Sequence, residues 1–193
     1  YLPYTSGYMG HSIYAFDINN DALIIAKFII SAELKLSEEL TKKFFSNNNF
    51  KNIDSLLMDY PDQNLFSQKN LDIKFDYIVT NPPYERLKPD GYSVEGKNDI
   101  ENYIKKIKSK RYDLSLSGNL NLYKLFLEKI LKIIEYSNGK AGLIIPSVFS
   151  RIETHSILVS RILNTGAKCF CFRSKKIFTV GAAMNVKTRK RRM

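Results

Sequence analysis

No run of eighteen apolar residues occurs in this 193-residue chain, and no signal peptide is visible. A membrane-spanning helix needs about 20 predominantly apolar residues, so a soluble, cytoplasmic protein without a membrane partner is expected. Cysteine is scarce. Cys169 and Cys171 stand two apart in a strand-like stretch, where side chains point the same way, but no further cysteine and no nearby histidine completes a metal-ligand set. Free thiols in a reducing compartment are expected. His11 and His155 lie far apart in the sequence and suggest neither a metal site nor a catalytic triad. Acidic residues are outnumbered, 19 against 30 Lys plus Arg, for a net charge of +11. Five of those charges sit in the terminal run Lys187, Arg189, Lys190, Arg191 and Arg192, which leaves +6 for the body. Such a mild bias suits a polyanionic partner or simply a basic surface.

What is present is enough apolar residues, 44%, for one sizeable core, and one stretch that organises the rest. Phe75-Asp76-Tyr77-Ile78-Val79-Thr80 reads as a buried strand, and Asn81-Pro82-Pro83-Tyr84 follows it. Two prolines fix φ and remove two N–H donors, so the chain must leave the sheet there. In open α/β sheets that carboxyl end is where ligands bind. The loop suits methylation of an amide-like nitrogen, whose lone pair is delocalised and poorly nucleophilic. The Asn81 side-chain carbonyl and the Pro82 backbone carbonyl can each accept one N–H from it, while Tyr84 stacks on the planar substrate. A proline-rich turn with an exposed tyrosine is the plainer reading of the same residues.

Around this loop, strands and helices alternate, which predicts a doubly wound, mostly parallel sheet. Tyr1–Gly10 is turn-rich, and Ile13–Phe16 is a short strand ending at Asp17, with Asn19, Asn20 and Asp21 as candidate helix caps. A helix is expected over Ala22–Leu36, with Leu23, Ala26, Ile30 and Leu34 on one face. Asp17 is placed either to bind ribose hydroxyls or to cap that helix. Phe44–Asn52 reads as a polar surface connection and Ile53–Leu57 as the next strand end, where Asp54 either accepts an adenine amino group or caps a turn. A loop, Asp59–Asp72, precedes the strand that delivers Asn81. Glu85–Asn119 interleaves Lys97, Lys105, Lys106, Lys108, Lys110 and Arg111 with Tyr92, Tyr103 and Tyr112. A solvated helix over Asp99–Lys110 explains these residues, as does contact with a nucleic-acid backbone. The strongest helical pattern is Leu120–Tyr136, with Leu122, Leu125, Phe126, Lys129, Ile130, Ile133 and Ile134 on its stripe and edges, ended by Gly139 after Asn138. Ala141–Ile145 is a strand, and Glu153–Asn164 a helix burying Ile157, Leu158, Arg161 and Ile162. Ala167–Phe172 and Ala182–Val186 are the final strands.

Taken in order, Phe16-Asp17, Asp54-Ser55-Leu56, the strand into Asn81-Pro82-Pro83-Tyr84, Asn121-Leu122-Tyr123-Lys124-Leu125-Phe126-Leu127-Glu128-Lys129 and Gly142-Leu143-Ile144-Ile145-Pro146 resemble the gamma-class adenine-specific (N6) DNA methyltransferases. That group includes the methylase part of type IIG restriction-modification enzymes. The resemblance runs from about Tyr14 to about Val186. Asn-Pro-Pro-Tyr alone is shared with glutamine methyltransferases acting on release factors; the later motifs look like the DNA enzymes. The resemblance implies a Rossmann-like S-adenosylmethionine-dependent fold, double-stranded DNA as partner and S-adenosyl-L-methionine as cofactor. By the same likeness, Asp17 is the ribose-binding acid, Asp54 the acceptor for the cofactor's adenine, and Phe126 the aromatic packed on that adenine. Asn81, Pro82, Pro83 and Tyr84 form the catalytic loop, and Phe178 is the second aromatic of the base pocket.

Two departures shape the expectation. Members carry a Gly-rich turn after a first strand upstream of the ribose-binding acid, and only Gly7 and Gly10 precede Asp17 here. Residues 1–186 are therefore expected to be a truncated catalytic domain lacking its first strand, and the separate target-recognition domain is expected in a missing segment or a partner chain. The charge run 187–193 is expected to be a disordered tail. A methyltransferase for RNA or a glutamine side chain, or an inactive nucleic-acid-binding remnant, would share parts of this pattern.

Overall fold

The computed structural model describes residues 12–46, 49–58, 74–89, 93–110, 112–116, 118–146, 156–164, 168–173 and 178–185, with backbone alone for 168–173, 178–185 and positions 156, 157, 159 and 163. It is a mixed α/β structure with short parallel strands, divided into two compact units, Tyr1–Met58 and Asp59–Met193. The expectations for Tyr1–Gly10, Asp59–Asp72 and the 187–193 tail lie outside the described residues.

In the first unit, β1 (Ala15–Asp17) pairs in parallel with β2 (Phe50–Asn52), Asp17 lying opposite Asn52. Between them run α1 (Asn20–Glu33) and α2 (Glu38–Ser46). Asn19 begins α1: its Oδ1 accepts from the amides of Asp21 and Ala22 at 2.9 and 3.3 Å, filling donors that the first turn leaves unpaired. Leu23 is buried and Ala26 and Ile30 pack beside it, as their spacing predicts. α2 was not expected. Its start is marked by Ser37, whose Oγ lies 3.3 Å from the Leu40 amide, and by Glu38 and Glu39 in the first turn. Phe44, 2% exposed, meets Phe50 edge to face at 5.3 Å, so the two phenylalanines that bound the Asn-rich stretch are core residues, not part of a surface connection. The second strand also ends earlier than expected: Ile53–Leu57 is a turn beyond β2, not a strand.

In the second unit, β3 (Tyr77–Thr80), β4 (Lys140–Pro146), β5 (Lys168–Arg173) and β6 (Phe178–Asn185) form one sheet in the order β3-β4-β6-β5. β3 and β4 are parallel; β6 runs antiparallel to both β4 and β5. α3 (Val94–Lys108) precedes α4 (Leu122–Ser137), and α5 (Ser156–Asn164) lies between β4 and β5 in the chain. Ala141, Leu143 and Ile145 alternate onto one face of β4, where they pack with Leu127, Ile130, Leu131 and Ile134 of α4 and with Leu158 and Ile162 of α5. Tyr77 and Val79, on the opposite face of β3, are 73% and 86% exposed. α4 is buried more widely than one stripe requires: Lys124 and Glu128 are both wholly enclosed. Arg161 is not on the buried face of α5. It is exposed and pairs with Glu135, Nη2 to Oε1 at 2.9 Å. In α3, Ile107 is buried, whereas Lys97, Lys105, Lys106 and Lys108 face solvent.

The end of α4 differs from expectation in an instructive way. The left-handed residue is Asn138, at φ 55°, whose amide reaches the Ile134 carbonyl. Gly139 serves another purpose: a Cβ there would stand 2.1 Å from the Phe75 carbonyl oxygen. Only glycine lets the chain entering β4 pass this close to the chain entering β3, and the Lys140 amide then bonds the Asp76 carbonyl at 2.8 Å. Among the described residues no helix is long and apolar enough to cross a membrane.

Candidate active site

The parallel ladder of β3 with β4 ends at Thr80, opposite Leu143, and Asn81-Pro82-Pro83-Tyr84 leaves from there. Pro82 is buried; Asn81 and Pro83 are exposed. Tyr84 is 44% exposed, and its hydroxyl lies 3.0 Å from Asn81 Oδ1 and 3.2 Å from the Ile144 carbonyl oxygen. A phenol has one hydrogen to donate, so it serves one of these acceptors at a time. The Tyr84 ring stands edge to face against the buried ring of Tyr123, centroids 6.4 Å apart at 87°. Burial pushes both phenols above their ordinary pKa, which keeps the Tyr84 hydroxyl a neutral donor at physiological pH.

Beyond Tyr84 the chain is held a second time. The Leu122 amide bonds the Glu85 carbonyl at 2.9 Å, the Leu87 amide bonds the Leu120 carbonyl at 2.8 Å, and Arg86 pairs with Asn121 as an isolated antiparallel bridge. The loop is thus fixed to the sheet at one end and to the start of α4 at the other. Tyr123 and the Ile144 carbonyl are parts of this arrangement that the sequence reading missed. The signal for Tyr123 was present, as the aromatic inside Asn121-Leu122-Tyr123-Lys124.

Phe126 lies one helical turn beyond Tyr123 in α4 and is half-buried. Phe178 is the first residue of β6, opposite Arg173, so the strand begins four residues earlier than expected; its side chain lies outside the described residues. In the first unit, Asp17 and Asp54 come together at the carboxyl ends of adjacent parallel strands. Asp54 caps the turn beyond β2, whereas Asp17 does not cap α1 but holds the amide of Asn19, the residue that does. Asp17 Oδ1 accepts from the Asn19 amide at 2.7 Å and Asp54 Oδ1 from the Leu56 amide at 2.9 Å. A carboxylate offers about four acceptor directions, so the Asn19 amide does not saturate Asp17. As acceptors the two fit the hydrogen-bond donors of an adenosyl group: an exposed acid suits vicinal hydroxyls and a half-buried one an amino group. Among the described residues no cluster of His, Cys, Asp or Glu could hold a metal ion.

No curated protein matches this sequence. Among solved structures, a class I S-adenosylmethionine-dependent methyltransferase from Listeria monocytogenes aligns with 97% of this chain at 9% identity and a TM-score of 0.44. The chain spans 58% of that protein's length. The family comparison is decisive, because residues 11–178 match the model of the Eco57I restriction-modification methylase, a span that takes in both acids and the whole Asn-Pro-Pro-Tyr loop. By that match this chain belongs to the Eco57I restriction-modification methylase family.

Proposed function

We infer that the chain is catalytic machinery of a DNA adenine-N6 methyltransferase of the gamma class, as in type IIG restriction-modification enzymes, working in the cytoplasm of a bacterial or phage host. The observation that carries this reading is the loop itself. Asn81 stands at the end of a parallel strand pair with an exposed carbonyl acceptor, beside a half-exposed tyrosine ring and a proline held in the protein. An adenine taken out of the duplex presents an exocyclic N–H₂ whose lone pair is delocalised. Asn81 Oδ1 and the Pro82 carbonyl accept its two hydrogens, which draws the nitrogen toward a tetrahedral, nucleophilic geometry. Tyr84 supplies a stacking face, and Phe178 is assigned the second wall of the base pocket. Asp17, Asp54 and Phe126 would hold S-adenosyl-L-methionine, the first by its ribose and the others by its adenine. When bound, that cofactor provides a methyl group on a sulfonium. Residues 1–186 form the catalytic part, 187–193 a basic tail, and site selection belongs to a further domain or partner chain.

The test is methyl transfer from tritiated S-adenosylmethionine to PCR-amplified genomic DNA, which carries every short site unmethylated, followed by nucleoside analysis. N6-methyladenine from the wild type, lost in Asn81→Ala, is the expected result. Label appearing only in RNA or in protein glutamine would replace this reading with the corresponding rival. Salt-sensitive DNA binding without affinity for S-adenosylhomocysteine would leave a binding remnant.

A further inference from the structure

Glu128 and Lys124 are charged, one helical turn apart on α4, and fully buried. An apolar side chain would fill either place at less cost, since burying a charge is unfavourable unless it is thoroughly paired. The pairing shows what the carboxylate holds. Its Oε1 accepts from the Asp113 amide at 2.7 Å, and Oε2 accepts from the amides of Leu114 and Ser115 at 3.0 and 2.7 Å. Lys132, one turn on, completes the set with Nζ 2.9 Å from Oε1. Three successive backbone amides converging on one anion form a nest, here occupied by the protein's own side chain.

The same helix grips the segment twice more. Ser115 Oγ donates to the Lys124 carbonyl at 2.8 Å, and Lys124 Nζ donates to the Asn119 carbonyl at 3.2 Å. The next residues, Leu120 to Leu122, are those that pair with Glu85, Arg86 and Leu87. Glu128 is thus tied to 113–115, Ser115 to Lys124 and Lys124 to Asn119, and the residues that follow Asn119 in the chain are tied to Glu85 and Leu87, next to Tyr84. We propose that Glu128 is a positioning residue for the Asn81–Tyr84 loop, setting its place through the backbone of 113–115 and 119–122. This rests on the methyltransferase reading and adds to it a group that touches neither substrate nor cofactor.

Glu128→Gln tests the idea, because it preserves shape while turning one acceptor into an NH₂ that faces amide donors. Backbone hydrogen exchange is compared in wild type and variant. The amides of 113–115 should lose about tenfold or more of their protection, and those of Leu87 and Leu122 should follow. Ala141 and Leu143, in the β4 ladder, should stay within about twofold of wild type. Leu87 and Leu122 retaining full protection while 113–115 is released would overturn the proposal, as would no change at 113–115. If Glu128→Gln does not fold, Ser115→Ala removes only the hydroxyl bridge to Lys124 and is expected to give the same pattern more weakly; unchanged exchange at Leu87 then counts against it. The second arm is kcat on PCR-amplified DNA, per site titrated with S-adenosylhomocysteine. A loosened loop predicts a fall on the order of a hundredfold with the KM for S-adenosylmethionine unchanged, whereas a general loss of folding lowers the number of sites and leaves kcat per site intact. A wild type that transfers no methyl group would end the methyltransferase reading, while the exchange arm still decides the proposal about Glu128.

Discussion

The Tyr84 hydroxyl sits 3.0 Å from Asn81 Oδ1, on the very oxygen assigned to the substrate amino group. That oxygen has two lone pairs and can accept from both, and the Ile144 carbonyl at 3.2 Å offers the phenol another acceptor. Tyr84→Phe removes the hydroxyl and keeps the ring, so methyl transfer should stay within a few-fold of wild type. Tyr84→Ala removes the stacking face, worth about 1–3 kcal/mol, and should weaken capture of the extruded base roughly ten- to a hundredfold. Nucleoside analysis for N6-methyladenine reads the first, and fluorescence of 2-aminopurine in place of the target base reads the second. A phenylalanine variant as poor as the alanine one would move the role from ring to hydroxyl.

Asn81→Ala leaves the amino group with the Pro82 carbonyl as its acceptor. By analogy with removing one preorganised polar group from a reacting centre, kcat should fall on the order of a hundred- to a thousandfold. Thermal stability should hardly change, because Asn81 is exposed. A melting curve beside single-turnover methylation checks the pair of expectations. A kcat close to wild type would remove Asn81 from the reaction.

Gly139→Ala is expected to destabilise the second unit. The added Cβ would meet a backbone oxygen, Phe75 O, at 2.1 Å, and no side chain can rotate to relieve it. Overpacking of this kind costs about 1–3 kcal/mol or more. Calorimetry should show a lowered Tm. Because the clash lies where β3 begins its ladder with β4, methyl transfer should fall with it. A Tm equal to wild type would mean that this crossing can widen freely.

Glu128 predicts a pH dependence. Burial pushes its carboxyl pKa up, but hydrogen bonds from Lys132, Ser115, Asp113 and Leu114 outweigh that and hold it below its ordinary value. Nearby Lys124 is pushed down by burial and drawn partly back by Glu128. The sign follows from the depressed acid: between the two pKa values the unfolded chain binds more protons, so this contribution is present above the unfolded pKa and is lost as pH falls through the folded one. The urea midpoint of the wild type should drop as pH falls below about 5, and the drop should be shallower in Glu128→Gln. Parallel slopes would show that the carboxylate is not the group being titrated.

How much of this was legible in the sequence differs from place to place for physical reasons. The helix after Asn121 carries a long periodic pattern and the strands into Asn81 and over 141–145 are apolar runs, and all three stand within a few residues of expectation, although the strand into Asn81, expected to be buried, exposes Tyr77 and Val79. α2 was hidden because Asn47, Asn48 and Asn49 signal a loop locally, while Phe44 and Phe50 on either side decide the matter by packing on each other. Asp54 could be placed near a strand end, but β2 closes two residues earlier, and only the pairing with β1 sets that register. Least visible of all was Glu128. In the sequence it reads as the polar edge of an amphipathic helix; its burial depends on amides contributed by residues 13 to 15 positions earlier.

The two anchors of the Asn81–Tyr84 loop have a consequence for its length. Between Thr80, held by β4, and Leu87, held by Leu120, lie six residues, two of them proline with fixed φ. Such a short, stiff span between fixed points has no slack to absorb an extra residue, unlike a long flexible loop, where lengthening costs little. Inserting a single glycine between Thr80 and Tyr84 is expected to carry the Tyr84 ring away from Tyr123. The geometry of this loop is therefore encoded in a residue count as much as in residue identity.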